Sequence, residues 1–333
     1  MSAFSQLQAA PRQILTGELG HELQLTCPVC RAAMNGLDLK DLSGTKTCLT
    51  CGFVLSSREG IWRALAPDRQ ERFRQFIDEY QKVRTLEGRG SSIPDFYLEL
   101  PYSDITGNNC WQWKIRGGSF RFFEARVLPR MEPGEGRGLN VLDVGAGNCW
   151  MSYRLALRGH RPVALDLIDN AQDGLGAARH YFAHLPSPFV RFQAEMDHLP
   201  FGDHQFDLLI FNASFHYSED YIPTVSEALR CLRRPGYLVI IDSPFYRRED
   251  SGRLMVMERR AAFTRKFGFP SDSVPSREYF TGETLTELAH AFQLSRRVEK
   301  PWHGLGWALR PIRARLLRQR EPSQFLIIWT EVV

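Results

Sequence analysis

Two groups of residues have types and spacings that could do chemistry. The first is Cys27-Pro28-Val29-Cys30 and Cys48-Leu49-Thr50-Cys51, with 17 residues between the pairs. Each C-x-x-C puts two thiolates on one tight turn, and two such turns complete a tetrahedron around zinc. Gly52 follows the second pair and suits the left-handed backbone that such a turn often needs. The second group is Asp143-Val144-Gly145-Ala146-Gly147-Asn148. The apolar run into Val144 predicts a strand buried in a parallel sheet. The two glycines let the chain turn tightly against a ligand. The helix predicted behind them, over 150–158, points its free amides at the same place. Nucleotide-binding folds of several chemistries share a Gly-x-Gly pair. A further strand over 162–167 carries Asp166, about 20 residues past the turn, where a ribose hydroxyl pair needs an acceptor.

The segments that follow narrow the reading. Glu195-Met196-Asp197-His198-Leu199-Pro200-Phe201 and then Phe206-Asp207-Leu208-Leu209-Ile210-Phe211-Asn212 occur in order behind the glycine turn. Over about 138–245 the chain resembles the class I S-adenosylmethionine (SAM)-dependent methyltransferases. The branch it is most similar to, methyltransferase type 11 or ubiquinone-biosynthesis-like, has the motifs D-x-G-x-G-x-G, D-A-E-x-L-P-F and F-D-x-x. Cys149 departs from that pattern at the third glycine, and Glu195 replaces its usual Asp. The resemblance implies a doubly wound, mostly parallel seven-stranded α/β sheet that binds SAM. It assigns Gly145 and Gly147 to the methionine part and Asp143 to the turn or the amino group. Asp166, with Leu167 beside it, falls to the ribose. Glu195 and the Met196 amide fall to the adenine edge, and Asn212 to the strand end beside the methyl group. Residues 25–65 resemble the zinc ribbons attached to some methyltransferases.

These motifs need elements to hold them. Composition, with 43% hydrophobic and 24% charged residues, is that of an ordinary globular protein, and a net charge of +4 names no polyanionic partner. No run reaches the roughly 18 apolar residues of a membrane span, and Met1–Gln6 lack the start of a signal peptide, so a cytoplasmic location is expected. The expected organisation is a lead-in over 1–20, a zinc ribbon over 21–65, a helical and aromatic cap over 66–137, and the methyltransferase domain over 138–333. Phe73, Phe76, Ile77, Tyr80 and Val83 recur at helical spacing and read as a core face. The aromatics of 93–137 either pack a cap onto the sheet or cover the cofactor, with Tyr102 the candidate cover. Strands are expected near 140–144, 162–167, 189–193, 206–212 and 236–242, with helices near 170–183 and 219–232. A strand at 324–330 closes the sheet as an antiparallel edge.

Methyl transfer demands alignment of nucleophile, carbon and sulfur, and a base only where the nucleophile must lose a proton. His216, four residues past Asn212, is the leading acid–base candidate, with Asp242 and Tyr246 on the next loop behind it. Cys149 sits within the glycine turn and reads as structural. The polar insert 243–277 is expected to form a lid over an apolar acceptor beside His216. Three functions follow: methylation of a small-molecule or lipid-like acceptor at O, N or C, methylation of a ribosomal or transfer RNA base, or a SAM-binding scaffold. Residues 243–320 hold 16 Lys/Arg against 8 Asp/Glu. Within them Arg310, Arg313, Arg315, Arg318 and Arg320 run beside Trp302 and Trp307. That stripe suits RNA, an anionic membrane surface, or plain solvation. Intact cofactor motifs disfavour the scaffold.

Overall fold

The chain is described by a computed structural model that covers residues 22–134 and 136–333. The expected lead-in lies outside these residues. The centre is a parallel sheet of β6 (Asn140–Val144), β7 (Arg161–Asp166), β8 (Val190–Gln193), β9 (Phe206–Asn212) and β10 (Leu232–Tyr246), in the order β8-β7-β6-β9-β10. Every residue of β6, β8 and β9 is buried, as expected for strands covered on both faces. β13 (Gln324–Val332) adds antiparallel to β10, and β12 (Arg296–Glu299) adds antiparallel to β13. These seven strands form the doubly wound sheet implied by the resemblance. Its crossovers include α4 (Trp150–Leu157) and α6 (Tyr221–Cys231), and the Asp220 carboxylate caps α6 by accepting from the Ile222 amide at 3.0 Å.

The N-terminal ribbon does not stand apart. It begins with the hairpin of β1 (Glu22–Thr26) and β2 (Ala33–Asp38). It continues with β3 (Thr45–Thr47), β4 (Val54–Arg58) and β5 (Ile61–Arg63). β5 pairs in parallel with β8, so the three strands extend the central sheet. Cys27, Cys48, Leu55 and Trp62 are buried in one cluster with Leu142, Phe192 and Phe206 of the central sheet. The expected boundary at residue 65 therefore cuts through a shared core.

Three further expectations are revised. The helix over 170–183 is replaced by a loop and two short helical turns, Leu175–Ala178 and α5 (Arg179–Phe182). Asn170 Oδ1 accepts from the amides of Gln172 and Asp173 at 2.9 and 2.8 Å, an alternative that competes with helix. The insert after β10 is mostly one helix, α7 (Glu249–Phe267), ended by Gly268 at φ 87°, and the chain then passes through the short β11 (Phe280–Thr281) into α8 (Gly282–Ala291). Leu254 and Met257 of α7 are exposed and form no lid. Finally, α1 (Pro67–Leu86), α2 (Pro94–Glu99) and α3 (Cys110–Phe122) form the cap, but α1 buries only Phe73 and Val83 fully. Its stripe packs in part on a small cluster with Leu65 and Val274 and in part faces a cavity.

Candidate active site

A cavity of about 1020 Å³, counting its open mouth, lies at the carboxyl ends of β6, β7 and β9. This is where an open α/β sheet binds its ligands. Gly145 sits at φ 73°, and a Cβ there would fall 2.2 Å from Ser214 Cβ. Only glycine fits both the backbone angle and the space. Cys149, in place of a third glycine, also adopts a left-handed φ of 64°, and its fully buried thiol sits well above its ordinary pKa. It is part of the packing.

Asp166 closes the turn from the next strand. Its carboxylate accepts from the Gly147 amide at 2.7 Å and the Ile168 amide at 2.8 Å. Burial nevertheless raises its pKa to about 6. Each oxygen keeps a free lone pair for a ligand hydroxyl. Asp143 lies behind the turn, outside the cavity wall, with one oxygen accepting from Ser152 Oγ at 2.7 Å and the other unpartnered among the described residues. Burial lifts it to about 7. Leu167, Met196, Glu195 and Asn212 line the cavity. Both Glu195 oxygens accept from Arg69 of α1. Among the described residues Asn212 Oδ1 is buried without a partner, a cost that a bound donor would relieve.

The opposite wall comes from the cap. Phe73, Phe76, Tyr80 and Arg84 of α1 and Arg116 of α3 line the cavity. The rings of Phe76, Tyr80 and Tyr217 form a mutual cluster, with centroids 5.7 to 6.3 Å apart. Arg84 binds Asp173 at 2.5 Å and ties the roof to the floor. Arg116 lies over the Trp113 ring, 5.0 Å from its centroid. Burial, with Arg84 and Arg89 nearby, lowers Arg116 to about 10. Among the described residues it has neither a hydrogen-bond nor an ion-pair partner. Sequence reasoning missed this wall. The one signal was an aromatic stripe on a helix otherwise rich in charge.

The three candidate catalytic residues lie outside the cavity wall. His216 Nδ1 is 3.3 Å from Ser243 Oγ, and burial with Arg116 and Arg259 depresses its pKa to about 3. So weak a base gives little help in proton removal at neutral pH. Its neighbour Tyr217 faces the cavity instead. Asp242 accepts from Ser119 Oγ at 2.5 Å, and burial raises it to about 7. Tyr246 is buried and accepts from Arg320 Nη1 at 3.1 Å, away from the site. Tyr102 covers nothing in the cavity. Its ring lies between Arg121 and Arg154, and its hydroxyl reaches Glu124.

The four cysteines of the ribbon converge. Their sulfurs lie within 4.8 Å of one another, with Cys27–Cys51 and Cys30–Cys48 at 3.5 Å. Four thiolates at a Zn–S distance of about 2.3 Å would stand roughly 3.8 Å apart. The two turns match: the Arg31 amide donates to Cys27 O and the Gly52 amide to Cys48 O, each at 2.9 Å. Both Arg31 and Gly52 adopt left-handed φ, 63° and 76°. The cluster fits a structural zinc site. Arg31 also donates to Glu227 of α6 at 2.8 Å and to Leu199 O at 3.2 Å. The ribbon is thus fastened to the Glu195–Phe201 loop that lines the cavity.

A family model described as a methyltransferase domain matches residues 142–240. No curated protein matches the chain. Among solved structures it is similar to the magnesium protoporphyrin IX methyltransferase of Synechocystis PCC 6803, at 14% identity and a TM-score of 0.45, over 79% of this chain and 98% of that one. It is also similar to the 1,6-didemethyltoxoflavin-N1-methyltransferase of Burkholderia thailandensis, at 16% identity and a TM-score of 0.41, over 76% of this chain and 89% of the other. A SAM-dependent methyltransferase of Mesorhizobium loti gives 18% identity and 0.43, over 63% and 97%. The domain match falls on the strands that carry the glycine turn, Asp166 and Asn212. Residues 142–240 thus carry a methyltransferase domain, and the protein is an enzyme.

Proposed function

We propose that the protein transfers the SAM methyl group to an O, N or C atom of a small, partly apolar acceptor carrying an anionic group. The observation that carries this reading is Arg116, which has no hydrogen-bond or ion-pair partner among the described residues, in an aromatic wall of Phe73, Phe76, Tyr80 and Tyr217 whose other guanidinium, Arg84, is already paired with Asp173. Its charge acts on His216 and Asp242, so it lies toward the ends of β9 and β10. SAM supplies an electrophilic methyl on a sulfonium whose leaving group is neutral. Gly145 and Gly147 would admit its methionine part, Asp166 would accept from the ribose, and Glu195 with the Met196 amide would meet the adenine. The aromatic wall excludes water and fixes the acceptor, which is the main demand of this reaction. Among the described residues no histidine, cysteine or lysine lines the cavity, which suits an acceptor atom that is already nucleophilic or already ionised.

The test has two stages. Labelled SAM with fractionated extract should place the label in a small acidic molecule, and label in RNA or protein would overturn the reading. With the acceptor in hand, Arg116→Gln should raise its KM about 10- to 100-fold, the range of a charge-assisted pair. The SAM Kd should change little. An equal loss of SAM affinity would mean that Arg116 serves the cofactor.

A further inference from the structure

The segment after β12 is turned inside out. Its helices α9 (Leu305–Ala308) and α10 (Arg310–Leu316) follow each other almost without a break, joined by αR backbone at Leu309. The face toward the protein is Trp307, Arg310 and Ala314. Trp307 stacks on Phe325, Arg310 lies over the Trp307 ring and donates to Ser323 O at 2.6 Å, and Ala314 is buried. The face toward solvent is aliphatic: Leu305 is 71% exposed, Leu309 54%, Ile312 59% and Leu316 78%. At 3.6 residues per turn these four positions fall within roughly 60° of arc, with Arg313 and Arg315 on opposite flanks. Trp302, three residues before α9, is 67% exposed.

Folding does not account for this arrangement, since exposing four aliphatic side chains on one stripe adds nothing to the core. Such a patch marks a surface that meets something. The charges say what. Residues 300–320 contain Lys300 and five arginines and no acid. Arg320 pairs with Glu258 and Arg310 is packed inward, whereas Arg313, Arg315 and Arg318 are exposed, with no ion pair among the described residues. A second copy of the chain would set these arginines against their own images across a two-fold axis. RNA would use the arginines but gains nothing from leucine and isoleucine.

We infer that α9 and α10 lie in the interface of an anionic lipid bilayer, with Leu305, Leu309, Ile312 and Leu316 in the acyl region and Arg313, Arg315 and Arg318 among the headgroups. The docked protein would hold its cap close to the lipid, because Trp111 at the start of α3 packs against Trp307 at 6.3 Å. The inference stands whatever the acceptor is.

The test is sedimentation of the full chain with phosphatidylcholine vesicles, with and without phosphatidylglycerol. The protein should pellet with the anionic vesicles and remain in solution with the zwitterionic ones. The combined change Leu305→Ser, Ile312→Ser and Leu316→Ser should lower partitioning at least 10-fold. Arg313→Gln, Arg315→Gln and Arg318→Gln together should lower it on the order of 100-fold. All six positions are exposed, so SAM affinity should match the parent and certify folding. No pelleting with anionic vesicles overturns the inference. So does vesicle binding indifferent to the serine changes while a concentration-dependent dimer disappears, which would assign the stripe to a second copy. Binding to structured RNA that needs only the arginines, without vesicle binding, overturns it in favour of RNA.

Discussion

The floor and the roof of the cavity are made differently. The floor comes from residues 144–219, where consecutive strands deliver short loops to one edge of a sheet. Its geometry is tight: Gly145 abuts Ser214, and Asp166 holds the Gly147 amide. The roof comes mainly from α1 and α3, and it touches the floor through Arg69–Glu195 and Arg84–Asp173. The floor admits one shape, whereas the roof is a helical cover held by ion pairs. We draw from this that cofactor binding depends on backbone fit and acceptor choice on side chains.

The largest effect should come from the zinc ribbon, which braces the floor. Structural zinc in small domains contributes on the order of 10 kcal/mol of folding free energy. The change Cys27→Ser with Cys48→Ser should abolish zinc binding, lower Tm sharply and weaken SAM binding, because Arg31 and Thr26 hold the carbonyls of Leu199 and Phe201. Unaltered SAM affinity by calorimetry in the zinc-free variant would show that the floor stands alone.

A smaller, paired effect separates floor from roof. Gly145→Ala combines a left-handed φ with a steric clash, together about 2–5 kcal/mol. It should reduce SAM affinity more than 100-fold. Phe76→Ala should leave SAM affinity within a few-fold and raise acceptor KM. If both changes act on the same ligand, the division between floor and roof fails.

The smallest effect is in pH. Asp143 and Asp242 are raised to about 7 and Asp166 to about 6, all by burial, from an ordinary 3.8. Each therefore binds its proton more tightly when folded, so its contribution to stability grows as pH falls through 7 toward 4. The cofactor-free protein should show a higher Tm at pH 5.5 than at pH 8, and Asp242→Asn should flatten that difference. A Tm that falls steadily over the same range would mean that these acids are ionised and solvated.

The floor was legible because its elements are local. Val144, Gly145, Gly147 and Asp166 lie within one βαβ unit, and apolar runs with glycine turns are their direct expression. The cysteine pairs were legible for the same reason. The roof was not, because Phe76, Tyr80 and Arg116 come together with Tyr217 only through tertiary packing. The stripe on α1 has the spacing of a core face, and spacing does not say whether the opposing surface is protein or a cavity. His216 illustrates the converse: it follows the right strand, but the short turn at Phe215–Tyr217 sends its neighbour into the site.

The pairing of β5 with β8 has a consequence for synthesis. Ile61 meets Arg191, 130 residues later in the chain. At about 5–20 residues per second, the ribosome delivers the partner strand roughly 6 to 26 s after β5 emerges. The knuckles can close on metal in that interval, since all four cysteines precede residue 52. Trp62 and the open edge of β5 cannot be covered until the centre of the sheet exists. The nascent chain thus carries a metal-stapled hairpin with an unpaired edge, a ready template for wrong strands, while the next 130 residues are made.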